Sequence, residues 1–168
     1  NDLGMKSAEF LIEINSQDKF LSNGFDNLEF KFSANKGSDF KLLKQSASGG
    51  EISRIMLAIK SIIANYRKLP TLMFDEIDTG VSGEISNKIG DIMREMSSSM
   101  QIFTITHLPQ IAAKGESHFK VYKTEKDNST TTNLIKLNNQ DRIVEIAKML
   151  EGDNISISAV AHAKQLLN

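Results

Sequence analysis

The sequence contains no cysteine. Disulfides, thiolate zinc sites and cysteine nucleophiles are therefore excluded, and any metal would have to be held by oxygen or imidazole. It also lacks a charge bias: 20 Lys and Arg stand against 21 Asp and Glu, a formal net charge of −1. Composition thus makes no electrostatic case for a nucleic-acid partner, although a local patch could still exist. No apolar run approaches the ~18 residues of a membrane span, and the polar start Asn1-Asp2 is not a secretory signal. A cytoplasmic protein with no membrane contact is expected. Internal repeats, low-complexity tracts and linkers are missing too. The first residue is Asn1 rather than Met, as expected of a piece of something longer. What remains is a chain of 168 residues, 40% hydrophobic and 24% charged. Those values exclude disorder and fit one domain of ~100–200 residues with a sizeable core.

Residues 8–15 alternate apolar and polar (Phe10, Ile12, Ile14), as do residues 27–33 (Leu28, Phe30, Phe32). With Asn23-Gly24 between them they predict an antiparallel strand pair. Residues 34–48, rich in Gly, Ser and Lys, read as a loop. Ile52, Ile55, Met56, Ile59, Ile62, Ile63 and Tyr66 then fall on one face of a helix of about five turns. Ser48 and Glu51 form its capping box, and Pro70 ends it by disfavouring helical geometry at the residue before. Thr71-Leu72-Met73-Phe74 is a short apolar run of the kind found in buried parallel strands. A helix marked by Ile85, Ile89, Ile92, Met93 and Met96 follows, and then a second buried strand, Ile102 to Ile105. Strand, helix and strand make a βαβ unit with a right-handed crossover. Beyond it the pattern predicts a short helix at 108–113, a hairpin of 119–123 with 131–137 around Asp127-Asn128, and two helices broken at Gly152. Ile143, Ile146, Ala147 and Leu150 mark the first of these helices; Val160, Ala163 and Leu167 mark the second.

Ligands bind an open parallel sheet at the carboxyl ends of its strands. Asp75-Glu76 ends one strand here and Thr106-His107 ends the next, so two carboxylates and an imidazole share one edge. Carboxylates buried at a strand end cost several kcal/mol unless compensated, and a magnesium ion holding phosphates is a usual remedy. Taken alone, the acids could equally begin a solvated turn, with Asp78 and Gly80 supplying the turn chemistry. Ser48-Gly49-Gly50-Glu51 is the second constellation: glycines at a helix start admit close backbone approach, and the free amides favour an anion. Glycines in a plain capped turn would look the same. A Ser-His-Asp hydrolase is excluded, because Ser48 lies in Ala47-Ser48-Gly49-Gly50 after a loop, not in G-x-S-x-G after a strand.

These pieces, in this order, resemble the carboxyl half of an ABC-type ATPase. Ser48-Gly49-Gly50-Glu51 is similar to its signature motif, Leu72-Met73-Phe74-Asp75-Glu76 to its Walker B strand, Asp78 to its D-loop and His107 to its switch histidine. The longer segments Leu3-Gly4-Met5, Ala47 to Ala58, Phe74 to Gly83, Thr106 to Ala112 and Glu145 to Gly152 resemble the RecN family of bacterial DNA-repair ATPases, which are related to SMC proteins. The likeness spans nearly the whole chain. Ala47 stands where most ABC signatures have Leu, which argues against a transporter ATPase. Lys148 and Glu151 depart mildly from the family tail, away from any catalytic position.

The resemblance implies an α/β fold: an ABC-ATPase-like head lobe with a largely parallel sheet flanked by helices and an N-terminal antiparallel strand pair, residues 1–168 forming its carboxyl-terminal half. No segment fits G-x-x-x-x-G-K-[ST]; Lys36-Gly37-Ser38 comes nearest but lacks the earlier glycine and the following helix. In the family that Walker A loop lies in an amino-terminal segment beyond a coiled coil, so the missing half is the first implied partner. The implied cofactors are ATP and Mg²⁺. Asp75 would hold the metal through water, Glu76 would deprotonate the attacking water, and His107 would contact the γ-phosphate. Ser48, Gly49, Gly50, Glu51 and Asp78 would bind nucleotide, the helix start at Ser48 overshooting the Asp75 edge to complete the site of a second head. Arg54 could face DNA, the partner head or solvent. Implied function is ATP-dependent head dimerisation coupled to DNA binding in double-strand break repair and recombination, at the bacterial nucleoid. An SMC condensin-type head and a non-catalytic ABC-like module are the alternatives, and Glu76 with His107 speaks against the latter.

Overall fold

The computed structural model describes residues 3–75, 77–81, 83–126 and 129–168. Glu76, Ser82 and the Asp127-Asn128 turn lie outside the described residues. The chain forms two compact units, one of residues 1–67 and 79–81, the other of 68–78 and 82–168.

The first unit holds β1 (Glu9–Leu21), β2 (Gly24–Ser33), β3 (Lys41–Leu42), α1 (Leu43–Ser46) and α2 (Gly49–Arg67). β1 and β2 pair antiparallel as predicted, with Phe10 opposite Phe32, Ile12 opposite Phe30 and Ile14 opposite Leu28. That register puts the apolar residues on one face. The other face carries Lys31, whose Nζ lies 2.6 Å from Glu13 and 3.7 Å from Glu29. Both strands outrun the alternating segments, because their outer ends are exposed on both faces and a strand without a buried face needs no alternation. The predicted loop at 34–48 is corrected: it contains β3, which pairs Leu42 with Lys31, and the single turn of α1. Elements this short rest on backbone pairing and leave no periodic signal.

α2 is about 28 Å long at ~1.5 Å per residue. Its buried residues are Ile55, Leu57 and Ala64, whereas Met56, Ile62, Ile63 and Tyr66 of the predicted face are exposed. Apolar residues occur around much of this helix, so spacing alone selected too wide a face. The helix ends at Arg67, and Lys68 adopts φ 51, a left-handed cap conformation ahead of Pro70.

The second unit runs β4 (Thr71–Asp75), α3 (Gly83–Met96), β5 (Gln101–Ile105), α4 (Pro109–Ala112), β6 (Phe119–Lys126), β7 (Ser129–Lys136), α5 (Asn139–Glu151) and α6 (Ile157–Leu167). β4 and β5 are parallel and in register from Thr71–Gln101 to Asp75–Ile105, which makes the expected βαβ unit. Only these two strands are parallel among the described residues; the other five form antiparallel sheets β1-β2-β3 and β6-β7. The parallel part is thus smaller than the expected largely parallel sheet. The strands are also not buried on both faces. Phe74 is buried, but Met73 is 60% exposed and Phe103 and Ile105 are open too. α3 supplies Ile89, Met93 and Met96 to the core. Ala113, Ile146, Ala147, Ala159 and Ala163 pack α5 and α6 together beneath the end of α4. Gly152 breaks the two helices at φ 84, its N–H donating to Lys148 O at 2.7 Å.

Candidate functional site

Parallel pairing fixes where the strand ends fall: β4 stops at Asp75 beside Ile105, and Thr106 and His107 follow directly. Asp75 is exposed, so the expected burial of a strand-end carboxylate does not apply to it. The buried carboxylate is Asp78, with its side chain 0% exposed. Thr106 Oγ1–H donates to Asp78 Oδ2, and the His107 backbone N–H donates to the same oxygen at 3.3 Å. His107 Nδ1 lies 3.5 Å from it as well, while the His107 side chain as a whole is 71% exposed. Thr106 Oγ1 in turn accepts the Leu108 N–H at 3.0 Å. Asp78 Oδ1 is buried, with no partner among the described residues. One carboxylate therefore ties the segment after β4 to the segment after β5.

The segment beyond His107 is held from the other side. Arg142 on α5 donates to Ala113 O at 2.8 Å, to Ala112 O at 3.4 Å and to Gly115 O. His118 sits near Arg142, Lys120 and Glu145; burial first, then the Arg142 charge, hold its imidazole below the ordinary 6.5, with Glu145 opposing.

Ser48, Gly49, Gly50 and Glu51 belong to the first unit, at the start of α2. Ser48 N–H and Oγ–H both donate to Glu51 Oε2 at 2.7 Å, and Glu51 N–H reaches Ser48 Oγ at 3.4 Å. The capping box is formed. Those two donated bonds hold the Glu51 carboxyl below its usual range. The two glycines differ. A Cβ on Gly50 would come within 3.2 Å of Thr79 O, whereas one on Gly49 would meet nothing within 4 Å among the described residues. Gly50 is thus required by its own unit, and the open space at Gly49 is what an approaching ligand needs. Arg54 Nε is buried, with no partner among the described residues, so part of this side chain is packed rather than solvated.

The sequence pattern singled out Asp75, Asp78 and His107 but no role for Thr106 or Arg142. Thr106 could have been found as a hydroxyl immediately before the strand-end histidine. Arg142 had no signal, because its partners are backbone carbonyls. Glu76 lies outside the described residues, and among them no group of three or more Asp, Glu or His side chains converges.

No protein-family model matches the chain. Individual proteins do. It is 40% identical over 167 residues to the DNA repair protein RecN of Haemophilus influenzae, which covers 99% of this chain and 30% of that protein. RecN of Rickettsia typhi is 39% identical over 166 residues, with the same coverage. The chain is a RecN-family sequence. It spans about 30% of the length of these RecN relatives. In structure it is similar to the Smc head domain with coiled coil and joint derived from Pyrococcus yayanosii, at TM-score 0.66 and 19% identity over 89% of this chain and 27% of that one. A second neighbour comes from work on ATP-driven dimerization and DNA-stimulated activation of SMC ATPases, at TM-score 0.56 and 22% identity over 86% and 83% of the two chains. These neighbours show an SMC-head-like α/β fold.

Proposed function

We propose that this chain is the carboxyl-terminal part of a RecN-like, ATP-hydrolysing DNA repair protein, contributing the signature, Walker B and switch-histidine pieces of a split ATPase head. The observation that carries the reading is the in-register pairing of β4 with β5, which sets exposed Asp75 beside the segment leading to exposed His107. Identity of 40% to RecN against 19% to the Smc head favours DNA repair over a condensin-type role. The phosphate loop comes from an amino-terminal segment. Exposed Met73, Phe103 and Ile105 on one unit, and Ile12, Ile14 and Leu28 on the other, support further chain packing on each, since exposed apolar patches of this kind mark interaction surfaces.

Asp75 fits magnesium: its exposed carboxylate would hold the ion through water, with phosphate oxygens supplying further ligands, as is usual for that ion. The metal would neutralise charge developing on the transferred phosphoryl group. His107 offers an N–H to the γ-phosphate, and Glu76 accepts the proton of the attacking water. The α2 amides, with Gly49 open beside them, receive the γ-phosphate held by a second head, so that ATP joins two heads; DNA is the partner of the assembled protein.

Single-turnover hydrolysis and nucleotide affinity in the full-length protein test this. Glu76→Gln should lower turnover by ~10²–10⁴ with ATP binding intact, and Asp75→Asn should weaken the magnesium-dependent part of binding. Ser48→Arg should leave single-head ATP binding unchanged and abolish ATP-dependent head pairing in a sizing assay. Normal turnover in Glu76→Gln removes Glu76 from the mechanism; equal loss of binding and pairing in Ser48→Arg removes the two-head site.

A further inference from the structure

We propose that Asp78 is a positioning residue that works through His107 and does not itself touch nucleotide. Its side chain is 0% exposed, so no ligand reaches it while this segment holds its place. A buried carboxylate costs several kcal/mol unless hydrogen bonds offset it. Among the described residues its hydrogen-bond donors are two consecutive residues, Thr106 through its hydroxyl and His107 through its backbone N–H, and both use the one oxygen Oδ2. Oδ1 has no partner among the described residues, so the arrangement does not maximise the carboxylate's own satisfaction there. It fixes one peptide and one side chain at the end of β5. Thr106 extends the grip by accepting the Leu108 N–H at 3.0 Å, so the backbone is held immediately before and after His107. The imidazole, whose Nδ1 lies 3.5 Å from Asp78 Oδ2, is carried by this fixed backbone, and its side chain is 71% exposed. A residue free to rotate would lose positioning that is worth up to ~100-fold in rate for about 1 Å of misplacement.

The inference rests on reading His107 as a group that contacts the γ-phosphate, and the experiment separates the two. ATP turnover is measured in the full-length protein for Thr106→Val, Thr106→Ser, His107→Ala and the Thr106→Val/His107→Ala double variant, with the thermal midpoint of each. Thr106→Val should lower kcat about 10-fold to 100-fold with KM for ATP within twofold, Thr106→Ser should recover most of the rate, and Thr106→Val should add nothing to His107→Ala. Should Thr106→Val fold poorly, Thr106→Ala, which leaves room for a water at Oδ2, takes its place. Equal losses from Thr106→Val in both backgrounds would mean that the clamp serves the fold and not His107, and would overturn the proposal. An unaffected Thr106→Val beside an impaired His107→Ala overturns it too, leaving the role of His107 standing. An unimpaired His107→Ala overturns the role of His107 and the clamp with it.

Discussion

At the start of α2, Ser48 and Glu51 stand three residues apart and satisfy each other. At the ends of β4 and β5, Asp78 takes its donors from Thr106 and His107, 28 and 29 positions along the chain. The first arrangement needs one turn of helix. The second needs a complete βαβ unit with its helices in place. Damage far from the chemistry should therefore leave the α2 start intact and reach the strand-end segment, which makes the two regions separable by mutation.

Gly90 offers the largest such effect. A Cβ there would lie 2.9 Å from Lys114 Cγ and 3.4 Å from Gln110 O. α3 and α4 pack together at this point, and α4 begins two residues after His107. Lys114 cannot simply swing away without loosening its 2.7 Å ion pair with Asp91. Gly90→Ala should cost ~1–3 kcal/mol, as overpacking typically does. Amide exchange should rise at 106–115 and stay unchanged in the first turn of α2. Faster exchange at both places would break the distinction.

The same difference decides what could be read from the sequence. Ser48 with Glu51, the alternation of Phe10, Ile12 and Ile14, and Gly152 are local signals, and each stands where its pattern placed it. Periodicity also found β4, α3 and β5. It misjudged their burial, since Met73 and Phe103 are as apolar as Phe74 yet exposed, and burial depends on which chain covers a face. β3 and α1 were missed because two-residue and four-residue elements have no period. At the candidate site, Asp75 and His107 were legible as strand-end residues, but the partnership of Asp78 with Thr106 was not. It is a pairing across the whole βαβ unit, and nothing in either local segment announces it. Arg142 escaped because its partners are backbone carbonyls, which every residue carries.

A smaller effect belongs to the cap. Ser48→Ala removes the Oγ contact to Glu51 but keeps the backbone N–H donor. Losses of this kind are ~1 kcal/mol. Exchange should rise in the first turn of α2 only, with 106–115 unchanged, the converse of Gly90→Ala. Because Glu51 is held below its ordinary 4.5, its contribution is present above that pH and is lost as pH falls through the lowered value.

The smallest effect is a pH dependence that the two regions should not share. His118 is half-buried, and its Nδ1 has no partner among the described residues. Burial first, then the charges of Arg142 and Lys120, disfavour its protonated form, and Glu145 opposes them. In the unfolded chain the imidazole takes a proton near 6.5; in the folded chain it does so lower. Between the two values the unfolded state binds more protons, so the free energy of unfolding falls as pH drops below 6.5 and levels off beneath the folded value. Above 6.5 the stability is fully present. Lys120 also pairs with Glu145 at the β6–α5 junction, so a charge arriving on His118 enters a site that already holds two cations and one anion. Protection factors, which remove the intrinsic pH dependence of exchange, should fall in β6 and α5 from pH 7 to 5.5, a range in which those of the α2 cap stay flat because Glu51 remains ionised. His118→Gln, neutral throughout, should remove the slope. A slope that survives in His118→Gln would assign it to another group and leave the two regions alike in their response to acid.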